Sequence, residues 1–147
     1  MSLGTVDSSN IVSQVWQNVY DIVKYNVSDP KGRDKWVYSA FPAARDATVD
    51  TFPCIVIDGS QITSEHFVIG SNKRYVWTIP IYVYDTTMAT CDSVSDSVVE
   101  QLEANKGSLT TYGFFQSLIS VSQPSHIIVS NNIIHERRID LRVEGVV

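Results

Sequence analysis

Cysteine is scarce in this chain of 147 residues: Cys54 and Cys91 stand 37 positions apart and outside any C-x-x-C spacing. That excludes a zinc motif or a dense disulfide framework as the organising device, and both residues are expected as small buried hydrophobes. His66, His126 and His135 are each isolated in strand-like or turn-like sequence, so a Cys-His-Asp site would need the fold to gather groups the sequence keeps apart. Long apolar runs are also missing. The stretch from Val76 to Val83 is broken by Thr78 and Pro80, far short of the roughly 20 residues a helical membrane span requires. The opening Met-Ser-Leu-Gly-Thr-Val-Asp-Ser-Ser has no basic region followed by an apolar core, so the chain is expected to fold where it is made.

Charge is thin as well. Charged residues make up 18%, below the usual share of about 25%. Eleven Lys and Arg against 16 Asp and Glu leave a net charge of -5, which excludes a globally basic nucleic-acid binder and leaves room only for a local basic patch. Much of the polar complement is instead 18 Ser and 10 Thr. Depletion of charge characterises the core of a protein interface. The composition therefore points to assembly, the alternative being a Ser/Thr-rich β-surface with no partner.

Catalytic signatures are lacking too. There is no G-x-x-x-x-G-K-[ST], G-x-G-x-x-G, G-x-S-x-G or H-E-x-x-H, and Gly59, Gly70, Gly107 and Gly113 are scattered turn or cap residues. The carboxylate pairs Asp46 with Asp50 and Asp92 with Asp96 sit in a loop and on an exposed helix face, without the apolar cleft that acid-base catalysis requires. A non-enzymatic protein with no cofactor is expected.

What the chain does contain is regular patterning. Between Ser9 and Tyr25, Ile11, Val15, Val19 and Val23 form one helical row, with Val12, Trp16 and Tyr20 beside it; Asp29-Pro30 ends the helix. Residues 26–51 hold no periodicity and read as a long loop or contact arm carrying Trp36 and Phe41. Pro53 to Ile57 reads as a central strand closed by Asp58-Gly59. A hairpin follows, Glu65 to Ile69 and Arg74 to Tyr84 around Gly70-Ser71-Asn72. In its second strand Tyr75, Trp77, Ile79, Ile81 and Val83 point one way and Val76, Thr78, Pro80, Tyr82 and Tyr84 the other. Neither face is strongly polar, so one is expected on helices and the other on a neighbour. Pro80 cannot donate a ladder bond, which predicts an edge strand or a bulge there.

Thr87 or Thr90 caps a second helix running to about Ala104, with Cys91, Val94, Val98 and Leu102 inward and Asp92, Asp96, Glu100 and Glu103 outward. Phe114 to Val121 reads as a strand, and Ser125 to Val129 with Ile133 to Val143 as a second hairpin across Ser130-Asn131-Asn132. Arg137 shares the inward parity of Ile139, which places it past the core edge or after a bulge. The order predicts one α+β domain over residues 1–147: a two-layer sandwich, its sheet mixed but mostly antiparallel, with both helices packed on one face.

Two basic groups stand out, Lys73 with Arg74, and Arg137, Arg138 and Arg142 on the last strand. They suit nucleic-acid phosphates if several subunits present them together. With Glu136, Asp140 and Glu144 interleaved, cross-strand or inter-subunit ion pairs suit them as well.

The layout resembles the tail terminator (tail completion, minor tail protein U-like) proteins of long-tailed phages and related viruses. The likeness is carried by the opening helix Ile11 to Val23, the Phe52-Pro53-Cys54-Ile55-Val56-Ile57 segment, Trp77-Thr78-Ile79-Pro80-Ile81-Tyr82-Val83-Tyr84, the acidic helix Asp92 to Leu102, and Glu136-Arg137-Arg138-Ile139-Asp140-Leu141-Arg142-Val143-Glu144. It implies a structural virion protein of the tail or neck, assembled in the host cytoplasm. It further implies a homo-oligomeric ring, typically of six subunits, that caps the tail tube protein and joins it to the head-side connector, with DNA passing non-specifically through the lumen and no membrane partner. On that basis Trp36, Phe41, Tyr75, Trp77, Pro80, Tyr82 and Tyr84 are interface candidates. Lys73, Arg74, Arg137, Arg138 and Arg142 are candidates for a lumen or for inter-subunit ion pairs. The alternatives are a head-tail connector or neck protein of the same virion, and a small ligand-binding or catalytic α+β domain built around His66, His126 or Cys54.

Overall fold

The structure, a computed structural model, describes residues 11–42, 48–69, 72–107 and 114–146. The amphipathic row of the first segment folds as helix α1, Ile11–Asn26, and buries Val15, Val19, Ile22 and Val23. Beside that row Trp16 and Tyr20 stack at 4.8 Å. Each also spends its polar atom on the sheet margin: Trp16 Nε1 donates to the carbonyl of Ile57, just past a strand end, at 2.7 Å, and the Tyr20 hydroxyl to the Val37 carbonyl at 3.1 Å. The helix is thus pinned at two points along the sheet margin as well as by apolar burial.

Among the described residues seven strands form one sheet: β1 Val37–Tyr38, β2 Cys54–Val56, β3 Thr63–Ile69, β4 Asn72–Asp85, β5 Phe114–Val121, β6 Ser125–Val129 and β7 Asn132–Val146. The spatial order is β1-β2-β4-β7-β5, with β3 also on β4 and β6 also on β7. Among the described residues only β1 and β2 pair in parallel; every other pair is antiparallel. The central ladder is long, running from Arg74 opposite Val146 to Asp85 opposite His135. Helix α2, Met88–Ala104, crosses from β4 to β5 and is capped by the Thr87 hydroxyl accepting from the Thr90 amide.

Both helices lie on one face. Val15, Val19 and Val23 of α1 and Cys91, Val94, Val98 and Leu102 of α2 share a core with Trp77, Ile79, Ile81 and Val83 of β4 and Ile139, Leu141 and Val143 of β7. Fully burying each large aliphatic contributes about 1.5–3 kcal/mol, so this layer dominates stability. A smaller cluster covers part of the opposite face: Phe52, Cys54, Val56, Tyr84, Val129 and Ile134, with Tyr38, Phe41, Tyr82 and Ile127 against it. The α+β architecture with two helices on one face of a mostly antiparallel sheet is the one the sequence predicts.

Two expectations need correction. The strand carrying Pro80 is not at the edge: β4 lies between β7 on one side and β2 and β3 on the other. Pairing with β3 ends at Thr78 and pairing with β2 begins at Tyr82, so Pro80 falls in the break between two short strands, where no ladder donor is needed on that side. The segment 26–51 is also not wholly an extended arm. It contributes β1, and Trp36 and Val37 are buried in the main core. The Ile55 and Ile57 amides donate to the Trp36 and Tyr38 carbonyls, each at 2.9 Å.

Candidate interaction surfaces

The aromatic interface candidates divide by burial. Trp77 (1% exposed) and Trp36 (5%) fill the helix-side core, where Tyr75 stacks on Trp77 at 5.6 Å and remains half-buried. Pro80 and Tyr84 are buried on the opposite face, the Tyr84 ring lying edge-on to Phe41 at 4.9 Å and stacked with Tyr82 at 6.1 Å. Burial pushes the Tyr84 hydroxyl pKa upward, and the charge of Glu136 adds to the effect. Of the seven, only Phe41, Tyr75 and Tyr82 leave part of their surface open.

Three of the five candidate cations, Arg74, Arg137 and Arg138, are tied to their own chain. Arg137 Nε donates to Asp92 of α2 at 2.8 Å and its Nη1 to the Ser122 carbonyl at 2.8 Å, which sets it at the core edge without a bulge in β7 at that point. Arg138 Nε donates to Asp140 at 2.8 Å while its guanidinium lies 5.7 Å from the centre of the Tyr82 ring. The Asp140 bond raises the Arg138 pKa further. Arg74 pairs across the ladder with Glu144, whose side chain is 4% exposed. Burial opposes the Glu144 charge, yet hydrogen bonds from Arg74 and Ser117 and the charges of Arg74 and Arg142 outweigh it and hold the carboxyl below its ordinary range. Arg142 itself is exposed. The Lys73 side chain lies outside the described residues.

Three surfaces were not anticipated from the sequence. The first is an open groove of about 800 Å³ where α1 ends, lined by Tyr20, Lys24, Tyr25, Arg33, Lys35 and Trp36 among others. Its floor is built by Arg33, whose guanidinium donates twice to Asp29, at 2.8 and 3.1 Å, and to the carbonyls of Asp50, Thr51 and Pro53. The Asp29 carboxyl, opposed by burial but held by Arg33 and by the Lys31 and Arg33 amides, sits below its ordinary pKa. The second surface is the tip of the β6–β7 hairpin. Ile128 (71% exposed) faces Ile133 (58%) across the strands, while Ile127 and Ile134 point to the opposite, packed face. Paired isoleucines in each strand were the available signal. The third is the free side of β5, an edge strand with no charged residue and with Leu118 and Val121 exposed.

Reactive chemistry is muted. Burial pushes the thiols of Cys54 and Cys91 up to about 12, so both are protonated at neutral pH, and Cys91 Sγ donates to the Val83 carbonyl at 3.4 Å. His126 sits opposite His135 in the β6–β7 register. The His66 side chain lies outside the described residues. Among the described residues no group of three or more His, Cys, Asp or Glu is placed to hold a metal ion, and no helix is long and apolar enough to cross a membrane.

A chain from the virion of a native gene transfer agent particle superposes with a TM-score of 0.56 at 17% sequence identity, over 91% of this chain and 95% of its own length. No protein-family model matches the sequence. No curated protein matches it either.

Proposed function

We propose that this chain is a structural, non-enzymatic virion protein that acts as a tail terminator. The supporting observation is the fold it shares, nearly end to end, with a chain of a gene transfer agent virion. In this reading the whole chain is the assembly unit. Copies close head to tail into a ring, typically of six, that stops growth of the tail tube and receives the head-side connector, placing the protein in the tail or neck after assembly in the host cytoplasm. A contact between two different patches closes into a ring when the rotation between copies fits. The uncharged edge of β5 and the apolar hairpin tip are surfaces of the kind such contacts use. Exposed Arg142, with any share of the charge of Arg138, is the group available to a DNA-conducting lumen.

The test is negative-stain electron microscopy of the purified chain at high concentration, alone and with tail tubes. Rings, alone or seated on tube ends, are the expected result. Monomers that ignore the tube exclude the terminator role. Capture by a portal-side ring in place of the tube moves the protein to the neck as a connector.

A further inference from the structure

The groove at the end of α1 and the outer face of α2 carry opposite charge. Residues 24–37 hold Lys24, Lys31, Arg33 and Lys35 against Asp29 and Asp34, on a chain whose net charge is -5. Asp29 and the backbone carbonyls occupy Arg33, so the charges presented to solvent are those of the lysines. Two of them are held over aromatic rings: Lys24 lies 5.3 Å from the centre of Tyr25, and Lys35 lies 5.1 Å from that of Tyr38. Tyr25 is 73% exposed, and apart from the Lys24 side chain beside it the ring presents a large aromatic surface to solvent.

Helix α2 has no Lys or Arg between Met88 and Ala104. Arg137 neutralises only Asp92, and among the described residues no ion pair reaches Asp96 or Glu100. Asp96, Glu100 and Glu103 are exposed at helical spacing, a strip of carboxylates about 10 Å long. The groove opens beside β1, at one end of the sheet order, whereas α2 packs over β4 and β7 and accepts a bond from Gln116 of β5 at the other end. Among the described residues no ion pair joins the two surfaces within one chain, which leaves both available to successive copies.

We propose that the groove is the socket for the outer face of α2 from a second copy of this chain, with Lys24 and Lys35 receiving Asp96 and Glu100 and the Tyr25 ring covered by the incoming helix. The inference rests on the ring reading above and names its contact. Charge complementarity of this kind sets register and association rate, and covering Tyr25 supplies the apolar burial. Because the patches differ, the contact is heterologous and propagates around a ring.

Three variants of the full chain test it by sedimentation velocity at low salt: Lys24→Glu/Lys35→Glu, Asp96→Lys/Glu100→Lys, and the quadruple variant combining them. The wild type is expected to assemble. Each double variant should weaken assembly at least about tenfold, and the quadruple variant, with both signs reversed, should recover it. Recovery also shows that the substitutions left the fold intact. Assembly of the wild type with undiminished assembly of either double variant overturns this contact and leaves the ring reading standing. Loss in both doubles without recovery in the quadruple variant overturns the contact too. A wild type that stays monomeric with and without tail tubes overturns both.

Discussion

Arg33 shows how much one side chain does for this molecule. A guanidinium has five N–H donors, and here all five are engaged: two on Asp29, one each on the Asp50, Thr51 and Pro53 carbonyls. The turn after α1 is thereby fastened to the strand-entry segment some 20 residues later. Lysine cannot reproduce that fork. Arg33→Lys is expected to cost about 2 kcal/mol in urea unfolding and to speed amide exchange at Ile55 and Ile57, whose bonds to Trp36 and Tyr38 depend on the same segment staying docked. Unchanged exchange at both amides would refute the role. Glu144 and Asp29 add a pH dependence. Both carboxyls titrate below their ordinary values of 4.5 and 3.8 when folded, so each stabilises the protein fully above those values and progressively less as acid drives the pH through and below them. Glu144→Gln should therefore cost about 1 kcal/mol at pH 7, a figure kept small because Arg74 is half-exposed, and the difference from wild type should shrink below about pH 4. Equal differences at pH 7 and pH 3 would sink that account.

Among the elements, the β6–β7 hairpin depends most on a local device. Ser130 and Asn131 both have positive φ, 49° and 66°, as a two-residue turn matched to strand twist requires. Asn131→Gly should be neutral or slightly stabilising and Asn131→Val should lose about 1–2 kcal/mol in thermal unfolding, because a β-branched residue is strained there. A valine variant as stable as the glycine one would remove the turn from the account. The hairpins and both helices were legible because each carries its own period and punctuation within a few residues. β1 was not, since two residues make no period and only Cys54–Val56 alongside them shows that Trp36 and Val37 belong to a sheet. Pro80 misled because the rule about proline is local, whereas the exchange of β3 for β2 along one side of β4 is a property of the whole sheet. The two faces of β4 are similar in composition, so only the position of the helices reveals that Trp77 lies inside. The bond from Arg137 to Asp92 spans 45 residues and has no sequence signature at all. The groove was hidden for the same reason, being made by the end of one helix and a turn with no motif.

At the scale of the whole molecule, the large apolar groups left open among the described residues lie in places that a second chain can reach: the β6–β7 hairpin tip, the β5 edge, the end of α1 and Val68 on β3. If assembly uses the lysine-lined groove, raising salt from about 0.05 to 0.5 M should shift the sedimentation profile toward smaller species, since exposed charges are screened beyond a Debye length that shortens with ionic strength. A profile insensitive to salt would assign assembly to the apolar surfaces alone. The ladder between β4 and β7 carries a separate consequence. Each long strand is flanked on its outer side by two short ones laid end to end, β3 and β2 along β4, β5 and β6 along β7. A flank can peel away without unzipping the pair in the middle, so opening should proceed in tiers, with the last amides to trade hydrogen for deuterium found near Ile81 and Ile139 and the first at the margins. A subunit built this way is able to lend its borders to neighbours while its centre stays shut.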